Sequence, residues 1–313
     1  MAERMGFFTD TSVCIGCKAC EVACKEWNQL PDDGFVFEAT SYDNTGMLGA
    51  STWRHVAFIE QSRPVQVPSD PEAEDSVDRW LMSSDVCKHC THAACLDVCP
   101  TGALFRTEFG TVVVQSDICN GCGYCVPACP YGVIDRREGD GRAWKCTMCY
   151  DRQLGGLEPA CAKACPTDSI QFGPLDELRE RAEERVARLR ADGHEEARLY
   201  GESPSDGVGG AGAFFLLLDE PEVYGLPPDP VATTRDLPAM WRWAGAAALS
   251  VAGAVALAFL NGGPGLKSGT SLNGGTFLTG GAGPKGRAFL KSRAFLKGRA
   301  LLKGRALLKG GTR

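Results

Sequence analysis

Apolar positions in the first half of the chain alternate only briefly between polar loops, a rhythm that predicts short strands and short helices rather than long regular elements. Residues 56–67 read as a strand, followed by an acidic, proline-containing linker at 68–78. The run GALFRTEFGTVVVQSDIC predicts a β-hairpin in which TVVV is a strand ending at a cysteine group. At 175–190 apolar residues recur at helical spacing among many Glu/Arg pairs, which predicts an amphipathic helix lying on a solvated surface. A loop at 204–212 precedes FFLLLD, residues 214–219, whose unbroken apolar run is that of a buried strand. After a proline-containing linker at 226–238, residues 243–260 carry no charge over 18 positions. As a helix that run is about 27 Å long, close to a bilayer core. A solitary apolar helix behind a linker lacks a soluble partner, so a single membrane span over 239–262 is expected. Trp241 and Trp243 would sit at one interface, with Arg242 reaching toward headgroups.

Charge is distributed unevenly around that helix. Residues 261–313 hold 6 Lys, 5 Arg and no acid, a net +11, so with −6 for the whole chain residues 1–260 carry −17. The tail at 263–313 repeats KGRAFL, KSRAFL, KGRALL and KGRALL from Lys285 onward. Glycine in its units weakens any helix, and disorder is expected there. Attraction to anionic lipid and a functionless low-complexity extension are both open for this tail. Without an aromatic platform among the basic residues, no nucleic-acid partner is expected. The Lys/Arg asymmetry places the tail in the cytoplasm and the body outside. The opening MAERMGFFTDTSVC has no apolar stretch of signal-peptide length, so no export signal of its own is expected. An exported body would then need a partner carrying the signal, and would cross already folded.

Sixteen cysteines stand in four groups of four: Cys14, Cys17, Cys20, Cys24; Cys87, Cys90, Cys95, Cys99; Cys119, Cys122, Cys125, Cys129; and Cys146, Cys149, Cys161, Cys165. The first and third read CxxCxxCxxxC, the bacterial ferredoxin run in which three thiolates wrap one [4Fe-4S] cube and the fourth reaches a neighbouring cube. Four such runs imply four [4Fe-4S] clusters. Pro100, Pro130 and Pro166 follow the last cysteine of three groups, and Lys25 takes that place in the first. Proline lacks an N–H and fixes φ, which suits a chain turning away from a cluster wall. A disulfide framework is disfavoured, because cysteine is only about 5% of the chain and CxxC neighbours seldom bridge a fold. Structural zinc closes with four ligands and gains nothing from the third close cysteine of a CxxCxxC triplet.

The segments CIGCKACEVACKEWN, CKHCTHAACLDVCPTGAL, CNGCGYCVPACPYGV and KCTMCYDRQLGGLEPACAKACPT resemble the iron-sulfur subunit of membrane-bound formate dehydrogenases. The likeness continues through EERVARLRADGHEEARLYG, GVGG and EVYGLPPDPV to the apolar helix, and only the basic repeat falls outside it. The resemblance implies an α+β, loop-rich fold of two ferredoxin-like [4Fe-4S] dicluster subdomains with a C-terminal transmembrane helix. The outer subdomain would comprise 1–80 with 140–173 and the inner one 81–139. Residues 174–238 would form an extension of helix, strand and linker. Nineteen residues between Cys99 and Cys119, as in a two-cluster ferredoxin, support the inner pairing.

Carried over by position, the resemblance implies one cluster on Cys14, Cys17, Cys20 and Cys165, and a neighbour on Cys24, Cys146, Cys149 and Cys161. A third falls on Cys87, Cys90, Cys95 and Cys129, and a fourth on Cys99, Cys119, Cys122 and Cys125. It further implies electron conduction for anaerobic respiration, from a molybdenum or tungsten pterin (molybdopterin) catalytic alpha subunit to a membrane cytochrome b gamma subunit and quinone. No catalytic residue is assigned. His89, His92, Lys18, Lys88, Lys145 and Trp144 lie near ligands and read as spacers or as charges that tune potential. Two other roles remain open at this point: the same conduit serving hydrogenase or a polysulfide, sulfoxide or nitrate reductase, and a membrane-tethered metal scaffold without electron traffic.

Overall fold

The computed structural model describes residues 3–34, 43, 45–67 and 70–261; the basic repeats lie outside the described residues. Contacts group 1–254 into one unit and 255–313 into a second, whose described part, 255–261, is helical. In chain order the elements begin with β1 (Met5–Asp10), α1 (Ala19–Asn28), β2 (Arg54–Val67), β3 (Asp70–Val86) and α2 (Ala94–Asp97). Next come β4 (Leu104–Arg106), β5 (Val112–Val114), α3 (Cys125–Ala128), β6 (Asp135–Arg136) and β7 (Ala143–Trp144). They are followed by α4 (Tyr150–Leu154), α5 (Ala160–Lys163), β8 (Ile170–Pro174), α6 (Leu175–Ala191), β9 (Arg198–Tyr200), β10 (Ala213–Leu217) and α7 (Leu237–Asn261).

The organising layer is a four-stranded sheet ordered β8-β1-β10-β9, with β1 parallel to β10 and the other pairs antiparallel. Side chains of a strand alternate between faces, and both faces of this sheet are covered, so β1 and β10 are buried along almost their whole length. On one face Phe8, Phe214 and Leu216 meet Leu175, Leu178, Ala182, Val186 and Leu189 of α6. The register sets Phe8 opposite Phe214, and their rings stack at 5.3 Å. On the other face Phe7, Phe215 and Leu217 join a core that includes Cys20, Cys24, Cys87, Cys146 and Cys161. The sheet therefore separates a helix layer from a cysteine layer. β1 approaches the loop before β10 closely: a Cβ on Gly6 would lie 2.5 Å from the Gly212 carbonyl oxygen, which accepts from Phe7 N–H at 2.8 Å.

Several sequence expectations meet the structure directly. The hairpin at 104–114 forms as β4 and β5, and FFLLL lies within or beside fully buried β10. The helix at 175–190 forms as α6, and its apolar stripe closes the sheet while only its outer face is solvated. The acidic linker read at 68–78 is corrected. From Asp70 onward that stretch is the start of β3, paired with β2 from Arg54 to Val67. Strand pairing needs only backbone donors and acceptors, so a polar sequence joins a ribbon once an apolar base fixes its register. That base is Val56, Leu81 and Val86, all buried, with Ile59 opposite Leu81.

α7 is long and apolar enough to cross a membrane, and Trp241, Trp243, Leu249 and Phe259 on it are exposed. Pro238 stands in its first turn, where the missing N–H costs no helical hydrogen bond.

Because Phe214 is fully buried between Phe8 and α6, Phe214→Ala is expected to lower stability by about 3–5 kcal/mol. Denaturant unfolding checks this, and a loss below about 1 kcal/mol would contradict the packing role given to the sheet.

Candidate functional site

Each cysteine group begins in a loop whose backbone turns left-handed just before its second cysteine. In all four CxxC loops the residue before the second cysteine has positive φ: Gly16 at 65°, His89 at 45°, Gly121 at 73° and Met148 at 56°. The reversal folds the loop so that both of its sulfurs face one space. Glycine adopts this backbone without penalty, whereas His89 and Met148 need support. His89 Nδ1 accepts from Val112 N–H at 3.1 Å, and Met148 N–H donates to Cys146 Sγ at 3.2 Å. At Gly121 the constraint is also steric, since a Cβ would lie 2.5 Å from Gly141 O.

Short helices then carry the chain from one space to the next. Cys20 and Cys24 stand one turn apart on α1, as do Cys161 and Cys165 on and after α5. Cys95 and Cys99 span α2, and Cys125 and Cys129 span α3. Residues four apart share a helix face but are displaced by about 6 Å along it, so each pair reaches two neighbouring spaces.

The sulfurs fall into four sets. Cys14, Cys17, Cys20 and Cys165 line a first cavity, together with Ser84 and Ser169. Cys24, Cys146, Cys149 and Cys161 line a second, with Phe7, Trp53 and Arg54. Cys87, Cys90, Cys95 and Cys129 line a third, with His89, Tyr131 and Lys145. At the fourth, Cys99, Cys119 and Cys122 surround Cys125 closely enough to push its thiol up electrostatically, after burial. Cysteines distant in sequence, such as Cys14 and Cys165, thus share a cavity.

All sixteen cysteines are free, which removes the disulfide framework. Among the described residues no three His, Cys, Asp or Glu are set to hold a single metal ion. Burial makes these thiols costly to ionise. It pushes the thiols of Cys20, Cys125 and Cys149 up to about 11 and that of Cys95 to about 12. Burial and then neighbouring thiolates raise Cys24, Cys90 and Cys146 further. Cys99 goes the other way: burial still raises its thiol, but hydrogen bonds involving Leu104, Thr101 and Ala103 together outweigh it. Four crowded, buried thiols are a donor set that becomes stable as thiolates only around concentrated positive charge, which a multi-iron group supplies.

Three cations are buried in this layer. Arg54 donates to Cys161 Sγ at 3.3 Å and Ser84 O at 3.1 Å, with its guanidinium 4.8 Å from the Phe7 ring. Lys145 donates to the carbonyls of Val112 and, at 2.9 Å, Cys146. Lys88 pairs with Asp85 and lies over the Phe215 and Tyr131 rings. Of the remaining residues singled out near ligands, Lys18 also lines the first cavity. Lys18 bridges Asp43 and Glu21, Trp144 donates to Asp140 beneath Arg137, and His92 is exposed. Sequence reasoning missed Arg54, which is carried by a strand remote in sequence from every CxxC loop; its only signal was a basic residue beside an apolar strand start.

Two expected outcomes follow from this geometry. Gly121→Ala should lower the iron bound per chain by displacing the loop of Cys119 and Cys122, and iron analysis of the purified variant measures it; full occupancy would contradict the steric reading. Because protons compete with iron for thiols raised to about 11–12, uptake of iron and sulfide at neutral pH should release protons and tighten as pH rises. Anaerobic reconstitution in a pH-stat reads both, and uptake independent of pH would contradict it.

Comparison with known proteins places this geometry. A family described as a 4Fe-4S dicluster domain matches residues 13–103, and a second of the same description matches 78–175. The chain is 42% identical over 230 residues, 72% of its length and 73% of the relative's, to the nitrate-inducible formate dehydrogenase iron-sulfur subunit of Escherichia coli. It is 43% identical over 225 residues to the formate dehydrogenase iron-sulfur subunit of Haemophilus influenzae, covering 71% and 68% of the two proteins. With one component of the anaerobic dimethyl sulfoxide reductase of Escherichia coli it shares 38% over 184 residues, 58% of this protein and 78% of that one. Two dicluster matches together with sixteen cysteines support [4Fe-4S] clusters as the cofactor of this chain.

Proposed function

Because the chain belongs to the iron-sulfur subunits of formate dehydrogenases, we propose that it is the electron-transfer subunit of a membrane-bound formate dehydrogenase holding four [4Fe-4S] clusters. The observation that carries this is the sorting of sixteen free cysteines into four sets, three lining cavities of their own and the fourth gathered about Cys125. Cys14, Cys17, Cys20 and Cys165 hold the first cluster, and Cys24, Cys146, Cys149 and Cys161 the second. Cys87, Cys90, Cys95 and Cys129 hold the third, and Cys99, Cys119, Cys122 and Cys125 the fourth. When bound, the clusters supply one-electron exchange with little rearrangement.

The chain's own residues set the order of the sites. Helices α1 and α5 link the first to the second, and α2 and α3 link the third to the fourth. Cys146 of the second lies close enough to Cys87 of the third for the two to interact electrostatically, which adds to the rise of the Cys146 thiol. All four sulfurs of the second set are buried, whereas Cys17 of the first and Cys122 of the fourth are exposed. Apolar Ile15 beside the first site and Ile118 and Tyr124 beside the fourth are exposed as well. The two ends of the row are therefore the places where electrons enter and leave, with water kept from the middle.

On this reading the outer subdomain, 1–80 with 140–173, receives electrons from a molybdenum or tungsten pterin catalytic subunit, which breaks the formate C–H bond. The inner subdomain, 81–139, passes them to a membrane cytochrome b and quinone. The segment 174–238 closes the sheet and leads to the span over 239–262. α7 anchors the chain in the membrane beside the cytochrome, with the cluster body outside and the basic tail in the cytoplasm, following the Lys/Arg asymmetry. Likeness to a dimethyl sulfoxide reductase component keeps a second reading, in which the same conduit runs toward a different catalytic subunit.

Anaerobic purification of the complex should give about sixteen irons and sixteen sulfides per chain, the content of four [4Fe-4S] clusters, with formate reducing them before any quinone analogue. Far less iron would end the proposal. Reduction only in reverse, by a reduced quinone analogue with sulfoxide as oxidant, would favour the second reading.

A further inference from the structure

Two of the three buried cations have no anionic partner among the described carboxylates. Lys88 is neutralised by Asp85. Arg54 and Lys145 are each about 1% exposed, yet among the described residues neither forms a salt bridge with a carboxylate. An isolated buried charge is strongly unfavourable unless something opposite faces it. What faces them is sulfur. Arg54 lines the second cavity, donates to Cys161 Sγ at 3.3 Å, and reaches Ser84 Oγ at 3.4 Å, which is itself 3.3 Å from Cys20 Sγ of the first. Lys145 lines the third cavity and immediately precedes Cys146 of the second, with its ammonium tied to the carbonyl oxygens of Cys146 and Val112.

Resting on the four-cluster reading above, we propose that Arg54 and Lys145 are fixed counter-charges of the electron path. Arg54 stands at the junction of the first and second sites, and Lys145 at the junction of the second and third. A cation in a water-poor interior favours whichever state of its neighbour is more negative, which is the reduced one. Each residue therefore raises the reduction potentials of the two sites it adjoins and offsets the negative charge of the thiolates that hold them. Both cations are held in place: the guanidinium by the Phe7 ring at 4.8 Å, the ammonium by two backbone carbonyls. They are positioning residues, since no bond changes at either.

The test is an EPR-monitored redox titration of the full chain in its complex, with iron and sulfide analysis of each variant. Lys145→Gln should lower two midpoint potentials and leave the other two unmoved, while Lys145→Arg restores both. Arg54→Gln should also lower two potentials, one of which is among those moved by Lys145→Gln, because both residues adjoin the second site. Lys163→Gln, at an exposed lysine beside Cys161, serves as the solvent-screened control and should move none. If Lys145→Gln fails to load iron while Lys145→Arg loads fully, charge compensation is required for assembly, which also supports the proposal. Unchanged potentials in a fully loaded Lys145→Gln, or equal defects in the Gln and Arg variants, would overturn it. Wild-type chain lacking reducible clusters would instead remove the four-cluster reading, a separate failure.

Discussion

A single helical turn sets the spacing of the whole cysteine layer. Four times the chain places one cysteine in one set and the next, four residues on, in the adjoining set, and each time a short helix or its C-terminal turn lies between them. Since the rise of a helix is fixed, the two cysteines that serve neighbouring sites are held about one pitch apart along the chain by covalent geometry and backbone hydrogen bonds rather than by side-chain fit. Electron exchange over a row of sites demands this kind of spacing, close and invariant. The left-handed residues before Cys17, Cys90, Cys122 and Cys149 complete the arrangement by turning pairs of sulfurs inward.

The rest of the fold can be understood as a wall around that layer. The sheet β8-β1-β10-β9 lays Phe7, Phe215 and Leu217 against the cysteines and gives its opposite face to α6. Both terminal portions of the body contribute: β1 opens the chain, β10 arrives more than two hundred residues later, and the two pair in parallel. Water is thereby excluded from the middle of the row. Exclusion carries an electrostatic cost, because buried thiolates repel one another, and Arg54 and Lys145 lie beside them.

Much of the cysteine layer is legible in the residues alone. The CxxC spacing, Pro100, Pro130 and Pro166, and the hairpin at 104–114 are local patterns whose geometry follows from a few residues. The amphipathic period of 175–190 likewise announces α6, although not the sheet it covers. Reading 68–78 as a linker fails because composition reports solubility, while the pairing of β3 with β2 is made by backbone groups that composition does not describe. β1, β8 and β9 go unread for a related reason. Each is six residues or fewer, and a short apolar run is ambiguous until its partner strands are known.

The order of residues thus specifies the chemistry: sixteen thiols at spacings that suit iron cubes, and an apolar segment of membrane length behind them. Folding in three dimensions selects which distant thiols meet, as Cys14 and Cys165 do, and which ends of the row remain open at Cys17 and Cys122. It also makes Arg54 and Lys145 lose their water and face sulfur. The difference is one of range. Backbone turns and helical pitch act over four or five residues and are written in the residues themselves. Burial and the electric field inside a protein arise only when segments far apart in the chain are packed together.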